Sequence, residues 1–259
     1  MNNFTIGIIG GTGGMGKWFA EFLAQEGYTV HVSGRTSGMS IEEMTRSCRV
    51  VVISVPIGVT ESVIAEVGPQ MSADSLLMDL TSLKQKPVAR MLETSISEVL
   101  GCHPLFGPDV ASLQGQNLIL CPARINRWSA WPANLFLKRG ARVTETSPER
   151  HDEMMSVVQV LNHLNTVIMG LTLTDTGIEP AELDRFSTPI LQTKIALIEK
   201  IHNNPQLYAE IIGNNPHTHH IVDIYERNLD VLKAAVRKNI PRDATASIER
   251  LIQSIGLLK

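Results

Sequence analysis

The chain has 259 residues, of which 43% are hydrophobic, 19% are charged and 5% are aromatic, and its formal net charge is −3. A chain of this length can bury a full core in one large domain or two ordinary ones, and its apolar content excludes a disordered or fibrous protein. The mildly negative charge excludes the basic surface that is typical of proteins binding nucleic acid or anionic membranes.

In the first half of the chain, short apolar strands alternate with helices. The predicted strands cover residues 4–9, 28–33, 50–54, 76–79, 98–102, 118–121 and 141–144. The predicted helices cover residues 15–25, 41–46, 59–67, 88–92 and 126–138. This alternation predicts an α/β fold with a doubly wound, mainly parallel sheet that is covered by helices on both faces.

The second half of the chain contains no strand pattern. After Ser147-Pro148, helices are predicted over residues 149–173, 182–203, 206–213, 220–238 and 242–255. We therefore expect a nucleotide-binding domain over residues 1–147 and an all-helical domain over residues 148–259. These helices have more apolar surface than one small domain can cover, which favours a homodimer.

A glycine-rich segment joins the first predicted strand to the first predicted helix. Gly11-Thr12-Gly13-Gly14-Met15-Gly16 fits the pattern G-x-G-x-x-G. In this pattern Gly11 permits a tight turn, Gly13 lets a pyrophosphate approach the backbone, and Gly16 allows close packing of helix on strand. An ordinary tight turn can match the same pattern. Because the strand, the helix and the repeating β-α unit all agree, we predict a dinucleotide-binding site.

The end of the second predicted strand indicates which dinucleotide binds. A site that prefers NAD has an acidic residue there, which accepts hydrogen bonds from the ribose hydroxyls. This chain has no carboxylate there and offers donors suited to a 2′-phosphate, which are Ser33, Arg35, Thr36 and Ser37. The other interpretation of Arg35 is an exposed loop arginine without function. We favour NADP as the cofactor, with NAD as the alternative.

Two polar segments, 79–84 and 103–109, each follow a predicted strand. Loops after parallel strands lie at the carboxyl edge of the sheet, where ligands bind. A histidine at this edge, held by the proline that follows it, can accept a proton near neutral pH, or it can pack in the interior. The spacing alone leaves both interpretations of His103 open.

Several segments of the chain together resemble a known family. They are residues 10–16, 54–57, 79–84 and 103–109 in the first half, and 151–152, 159–163, 187–189 and 205–210 in the second. Over nearly its whole length the chain resembles the prephenate and arogenate dehydrogenases of tyrosine biosynthesis. It is similar to the dehydrogenase portion of the bifunctional bacterial mutase–dehydrogenases. The resemblance implies a Rossmann-like domain followed by an all-α dimerisation domain.

The resemblance also implies an oxidoreductase that converts prephenate to 4-hydroxyphenylpyruvate by oxidative decarboxylation with NAD(P). His103 matches the histidine that accepts the proton of the substrate hydroxyl, and Ser82 matches the serine that hydrogen-bonds this histidine and the substrate. Removal of the hydroxyl proton assists departure of the hydride, and a positioned base typically contributes ~10²–10⁴-fold to the rate. The same match implies that Ser54, Val55 and Pro56 contact the cofactor.

In the second half, the resemblance implies that His163 lies in the substrate pocket. Gln159 lies one helical turn before His163 on the same face, so we expect it in the pocket as well. His151-Asp152 opens the same predicted helix, where an acid in the first turn also suits the helix dipole. We expect this helix to line the cleft between the two halves.

The sequence departs from the family pattern at one position. Family members usually carry an arginine shortly after the proline that matches Pro189, and this arginine binds a substrate carboxylate bidentately. Gln192 occupies that place here. Lys194 or Arg185 could supply the charge instead, but neither reproduces the expected geometry and neither is assigned the role. The departure keeps arogenate or an amino-substituted prephenate open as the substrate.

Two other classes of protein are alternatives. A nucleotide-binding regulator without chemistry would fit the missing arginine, but the retention of Ser82 and His103 argues against it. A β-hydroxyacid or imine reductase has a similar two-part architecture, but it lacks the 103–108 loop and usually relies on a lysine in the helical half. Because nothing like a mutase precedes Phe4, we expect a stand-alone dehydrogenase.

The remaining features concern compartment and metals. The three cysteines, Cys48, Cys102 and Cys121, form neither a disulfide framework nor a zinc pattern, which favours a reduced compartment. The histidines at 217–220 have no nearby carboxylate or cysteine that would complete a tetrahedral site, so we predict no metal. The N-terminus lacks the pattern of a signal peptide, and no run approaches the roughly 18 uninterrupted apolar residues of a membrane span. We expect a cytoplasmic, soluble protein without membrane contact.

Overall fold

The computed structural model describes residues 4–237 and residue 245. Seven strands form one sheet. They are β1 (Thr5–Ile9), β2 (Thr29–Ser33), β3 (Val50–Ile53), β4 (Leu76–Asp79), β5 (Glu98–Pro104), β6 (Asn117–Arg124) and β7 (Arg142–Glu145). Their spatial order is β2-β1-β3-β4-β5-β6-β7, and β1 to β5 pair in parallel. The chain therefore reverses direction across the sheet at β1 and β3, which is where open α/β sheets bind ligands.

Five helices cover the two faces of this sheet, as the alternating pattern predicts. They are α1 (Gly14–Gln25), α2 (Ile41–Ser47), α3 (Ile57–Val67), α4 (Gln85–Thr94) and α5 (Trp131–Lys138). Because successive strand residues point to opposite faces, Val50 and Val52 pack with α1 and α5, whereas Val51 and Ile53 pack with α2, α3 and α4. The two faces thus bury two separate apolar clusters, and the doubly wound fold is confirmed.

The region after β5 differs from the predicted elements. β6 runs antiparallel to β5, because residues 105–116 contain no helix that could carry the chain back for parallel pairing. β5 itself continues through Pro104, so His103 lies inside the strand and not in the loop after it. The helix predicted over 126–138 begins only at Trp131, because the amides of residues 126–128 bind the Glu98 carboxylate instead.

The second half is all-helical where the structure describes it. Its elements are α6 (Pro148–Met155), a π-helical segment (Ser156–Leu161), α7 (Asn162–Asp175), α8 (Pro180–Arg185), α9 (Pro189–His202), α10 (Pro205–Asn214) and α11 (Thr218–Arg237). The helix predicted over 182–203 is two helices, because Pro189 cannot continue a helix and Thr188 caps α9 by accepting a hydrogen bond from the Leu191 amide. Apart from residue 245, the helix predicted over 242–255 lies outside the described residues.

One helical run, Pro148–Asp175, is long and apolar enough to cross a membrane by length and composition, with a mean hydropathy of 1.3. Polar residues such as Gln159 and His163 interrupt this run, so it contains no uninterrupted apolar stretch of spanning length. Residues at its start, including His151 and Asp152, are buried. Only 17% of the apolar window in this run is buried, and one such helix is weak evidence for a membrane span.

Candidate active site

The glycine-rich segment forms the turn between β1 and α1. Gly10 has a φ of 83°, and a Cβ atom at this position would lie 2.1 Å from the Ser54 carbonyl oxygen. Gly10, rather than the predicted Gly11, therefore provides the left-handed residue of the tight turn. A Cβ atom on Gly16 would lie 2.3 Å from the Gly10 carbonyl oxygen, which confirms that Gly16 allows close packing of the helix on the strand.

The start of α1 is accessible to a ligand. Gly13 precedes the helix in an extended conformation, and no side chain caps the first turn. A Cβ atom on Gly13 would meet no atom within 4 Å, so the space in front of the helix is open. Uncapped amides at a helix start bind phosphate through their N–H groups and the helix dipole. The turn that contains Thr12, Gly14 and Met15 therefore fits a dinucleotide pyrophosphate.

The loop after β2 lies beside this turn. Arg35 and Thr36 are exposed in the loop. Ser33 is only 8% exposed, and its carbonyl oxygen accepts hydrogen bonds from the amides of Gly10 and Gly11, at 2.7 and 3.1 Å. Of the residues predicted to bind a 2′-phosphate, Arg35 and Thr36 are thus accessible, whereas Ser33 joins the loop to the glycine turn through its main chain.

Ser54, Val55 and Pro56 connect β3 to α3 on the other side of the glycine turn. The Ser54 amide donates a hydrogen bond of 2.8 Å to the Ile9 carbonyl oxygen, and Pro56 immediately precedes α3. A Cβ atom on Gly10 would lie 3.2 Å from the Val55 side chain. The structure thus brings the residues predicted for the cofactor together at the point where the sheet reverses direction.

His103, near the carboxyl end of β5, contacts two residues of the helical half. Its Nδ1 atom lies 2.9 Å from Nε2 of His151 in α6, and its Nε2 atom lies 3.5 Å from Nε2 of Gln159 in the π-helical segment. Burial, followed by the nearby His151 and Lys84, holds the pKa of His103 well below its ordinary value. The ring is therefore neutral at pH 7 and can accept a proton.

Asp152 connects this histidine pair to the nucleotide half. Its Oδ1 atom lies 2.7 Å from Nδ1 of His151 and accepts a hydrogen bond of 2.8 Å from the Lys84 amide. Its Oδ2 atom accepts a hydrogen bond of 3.0 Å from the Gln85 amide, at the start of α4. The Asp152 carbonyl oxygen accepts a further bond of 2.8 Å from the Asn215 side chain. A single acidic residue therefore holds three segments together at the junction of the two halves.

A buried ion pair lies beneath His103. The fully buried Lys84 ammonium pairs with the carboxylate of Asp79, which is buried as well. Gly101 leaves room for the lysine, because a Cβ atom there would lie 2.8 Å from Cδ of Lys84. The Oδ1 atom of Asp79 is buried without a hydrogen-bond partner among the described residues. The pair fixes a cation close enough to oppose protonation of His103.

Ser82 lies in the loop between β4 and α4 and is half-buried. Within residues 4–237 no hydrogen bond joins its side chain to His103, because the two ring nitrogens face His151 and Gln159. This differs from the expected hydrogen bond between Ser82 and His103. Both residues nevertheless lie at the same edge of the sheet, as the sequence predicts, because β4 and β5 are neighbouring strands.

His163 lies on α7 and is half-buried. Its ring meets the ring of Tyr208 in α10 edge to face, with centroids 4.8 Å apart. Burial lowers the pKa of His163, and the charge of Lys200 on α9 lowers it further. Gln192, at the place of the family arginine, is exposed on α9, as is Lys194.

Four residues of this region make contacts or carry charges that the sequence patterns did not predict. The sequence explains His151 and Asp152 by the family resemblance and the helix dipole, although an imidazole next to a carboxylate is itself a signal of a paired site. Lys84 is the last residue of the 79–84 segment. Its positive charge and the negative charge of Asp79 lie at the two ends of the loop that follows a buried strand. Lys200 lies two helical turns beyond Gln192 and carries a charge that Gln192 lacks.

Sequence models of one family match both halves of the chain. The model described as prephenate dehydrogenase, nucleotide-binding domain, matches residues 21–145. The model described as prephenate dehydrogenase, dimerization domain, matches residues 147–253.

Curated relatives agree with this match. A probable arogenate/prephenate dehydrogenase from Methanocaldococcus jannaschii is 36% identical over 95% of this chain and 59% of its own length. The T-protein of Haemophilus influenzae is 33% identical over 86% of this chain and 59% of its own. The T-protein of Enterobacter agglomerans is 33% identical over 96% of this chain and 67% of its own. The chain thus spans about three fifths of the length of the first two relatives.

Solved structures share the fold of the whole chain. The prephenate dehydrogenase from A. aeolicus in complex with hydroxyphenyl propionate and NAD+ has a TM-score of 0.78 at 19% identity, covering 100% of this chain and 99% of its own. The Synechocystis arogenate dehydrogenase has a TM-score of 0.73 at 16% identity, covering 97% of each chain. At these identities the similarity establishes the fold alone, a Rossmann-like domain followed by a helical domain.

Proposed function

Because the chain belongs to the prephenate dehydrogenase family of oxidoreductases, we propose that it converts prephenate to 4-hydroxyphenylpyruvate with NADP, in tyrosine biosynthesis. The observation that carries the proposal is the neutral, buried His103. Its Nε2 atom faces Gln159 at the junction of the two halves, on the edge of the sheet that also holds the glycine turn. Such a group can take the proton of a substrate hydroxyl placed between the halves.

In the proposed reaction the hydroxyl proton moves to His103 and then back to the same oxygen. The hydroxyl proton moves to Nε2 of His103 as the hydride leaves the ring carbon and the ring carboxylate departs as carbon dioxide. The nicotinamide cofactor, when bound, accepts that hydride. Prephenate as a dianion then gives one carbon dioxide and the monoanionic product, so no net proton is released. His103 therefore returns its proton to the phenolate oxygen of the product and is neutral again.

The choice of NADP rests on the loop after β2. The residues of the glycine turn fit a pyrophosphate, because Gly13 leaves open space before the uncapped helix α1. Arg35 and Thr36 are exposed in the neighbouring loop, and no acidic residue takes the place that NAD requires. The guanidinium group suits a phosphate better than a ribose hydroxyl, which supports NADP over NAD.

For the substrate carboxylate, we propose Lys200 rather than Lys194 or Arg185. The charge of Lys200 acts on His163, the residue that the family resemblance assigns to the substrate pocket, which supports a position of Lys200 near the substrate. An ammonium group binds carboxylate as a point charge and lacks the bidentate geometry of arginine. The absence of arginine at the place of Gln192 keeps arogenate as the second candidate.

Membership of the family supports a homodimer and a cytoplasmic compartment. A domain described as a dimerization domain matches residues 147–253, and large apolar side chains on the described part of that half are exposed, which supports a homodimer. We also propose the domain boundary between residues 147 and 148, and a soluble, cytoplasmic protein like other biosynthetic enzymes of this kind.

The experiment that tests the proposal combines two substrates with two cofactors. Formation of reduced cofactor is followed by absorbance with prephenate or arogenate and with NADP or NAD, and the product is identified by mass spectrometry. We expect the highest kcat/KM for prephenate with NADP. A higher kcat/KM for arogenate than for prephenate would identify arogenate as the substrate. Binding of cofactor without turnover of either substrate would favour a nucleotide-binding regulator.

A further inference from the structure

The three side chains His103, His151 and Asp152 form an ordered chain of hydrogen bonds. Nδ1 of His103 lies 2.9 Å from Nε2 of His151, and Nδ1 of His151 lies 2.7 Å from Oδ1 of Asp152. All three residues are at most 3% exposed. Water therefore does not compete for these nitrogens, and each must find its partner within the protein.

The Asp152 carboxylate at one end determines the direction of every hydrogen bond in this series. An ionised carboxylate only accepts hydrogen bonds, so Nδ1 of His151 carries a proton and donates it to Asp152. Nε2 of a neutral His151 is then an acceptor, and Nδ1 of His103 must donate to it. As a result Nε2 of His103, the atom nearest Gln159, is left without a proton.

Independent contacts keep Asp152 ionised and correctly oriented. Its two oxygens accept hydrogen bonds from the amides of Lys84 and Gln85 as well as from His151. These amides lie at the start of α4, where the helix dipole favours a negative charge. A side-chain rotation of Asp152 would break bonds to both amides, so the acceptor for His151 is fixed.

We propose that His151 and Asp152 are positioning residues that select the tautomer of His103 in which Nε2 is free to take a proton. The inference rests on the proposed role of His103 as the proton acceptor. When the substrate O–H bond breaks and the Nε2–H bond forms, His103 becomes a cation that donates to His151, and the Asp152 carboxylate stabilises that positive charge. Asp152 does not take up the proton, because its oxygens already serve three donors.

Other charged groups lie near these three side chains and affect the pH dependence of the activity. Lys84 and Asp79 lie beneath His103 as an ion pair, and the lysine opposes protonation of both histidines. Burial lowers the pKa of His151 as well, although the hydrogen bond to Asp152 acts in the opposite direction. The variants below leave Lys84 and Asp79 unchanged, so that their contribution is constant.

The test measures the tautomer directly in the full-length protein labelled with ¹⁵N-histidine. Two-dimensional NMR at neutral pH, without substrate, assigns which nitrogen of His103 carries the proton. We expect Nδ1–H in the native protein. His151→Phe removes the acceptor, and we expect a shift of His103 toward Nε2–H and a turnover lower by about tenfold to a hundredfold. His151→Gln offers an amide oxygen to Nδ1, and we expect it to restore the tautomer and most of the turnover.

Two results would overturn the proposal. One is the Nε2–H tautomer of His103 in the native protein, which needs no variant to fold. The other is His151→Phe with unchanged tautomer, turnover and pH profile. The proposed function fails separately: native protein with the Nδ1–H tautomer but without turnover of prephenate or arogenate would reject the reaction and leave the tautomer assignment intact.

Discussion

His103 is the residue whose substitution separates proton transfer from substrate binding. His103→Asn keeps a polar group beside the substrate hydroxyl but cannot take its proton. We therefore expect a KM close to that of the native enzyme and a kcat lower by about two to four orders of magnitude. Steady-state kinetics with prephenate measure both values. A variant that retains the native kcat would identify another group as the base.

The lowered pKa of His103 predicts a particular pH dependence. Only the neutral ring accepts a proton, so activity is lost as the pH falls through the pKa of this histidine. Because burial lowers that pKa in the free enzyme, the acid limb of kcat/KM should lie below the ordinary histidine value of about 6.5. The dianionic substrate favours the cationic ring, so the acid limb of kcat should lie at higher pH. Coincident limbs, or limbs that persist in His103→Asn, would contradict this assignment.

Arg35 tests the preference for NADP. We expect at least a tenfold preference for NADP over NAD in kcat/KM, which corresponds to about 1.4 kcal/mol and is within reach of one arginine–phosphate contact. Arg35→Ala should remove most of this preference by weakening NADP and not NAD. Arg142→Ala, at an exposed position in β7, is the matched control and should leave the ratio unchanged. Equal efficiency of the native enzyme with both cofactors would refute the prediction.

At the level of elements, two glycines of the turn before α1 should respond differently to alanine. Gly16 lies against the Gly10 carbonyl oxygen, so Gly16→Ala should lower the free energy of unfolding by about 1–3 kcal/mol through overpacking. Gly13 faces open space with an extended backbone, so Gly13→Ala should leave the unfolding free energy nearly unchanged. Its methyl group would instead obstruct the pyrophosphate and weaken cofactor binding.

Denaturant unfolding and cofactor titration of both variants separate the two effects. Gly213→Ala, in α10, is a control for the substitution itself, because a Cβ atom there also meets nothing within 4 Å. Loss of stability in Gly13→Ala, or native cofactor affinity in the same variant, would show that the open space before α1 does not receive the phosphates.

The elements that the sequence predicts well are those with a strong local signal. Buried strands such as β3 and β4 are short apolar runs between polar residues, and their bounds agree with the prediction to within one residue. The antiparallel β6 could not be predicted, because its direction depends on the irregular segment before it and not on its own residues. The late start of α5 depends on Glu98, a distant residue that binds the amides of residues 126–128.

The same distinction holds for the candidate site. The glycine turn and the 79–84 and 103–109 segments are local patterns, and they lie at the same sheet edge because parallel strands end there. The contacts of His103 with His151 and Gln159 are not local, since they join residues 48 and 56 positions apart. The π-helical segment, which contains Gln159, has no composition that distinguishes it from an α-helix.

At the scale of the whole molecule, the exposed apolar residues of the helical half predict its assembly. Phe186 and Ile190, which lie four residues apart in the sequence, are 79% and 72% exposed in the isolated chain, and such exposed apolar side chains favour burial against a partner. We expect a dimer at micromolar concentration by light scattering. Phe186→Asp should weaken it, whereas Ile96→Asp, at a 71% exposed position in the nucleotide half, should not. A monomeric native protein under these conditions would contradict the prediction.

The position of Asp152 between the two halves limits how this chain can be recombined with relatives. A chimera that joined this nucleotide half to a helical half without an acid at this place would bury the amides of Lys84 and Gln85 and a histidine nitrogen with no acceptor. Each such orphaned group costs about 1–3 kcal/mol, a large fraction of the stability of an ordinary domain. A crossover near residue 147 should therefore yield a folded protein only when the other parent also carries an acid where Asp152 stands, or when α4 and α6 come from the same parent.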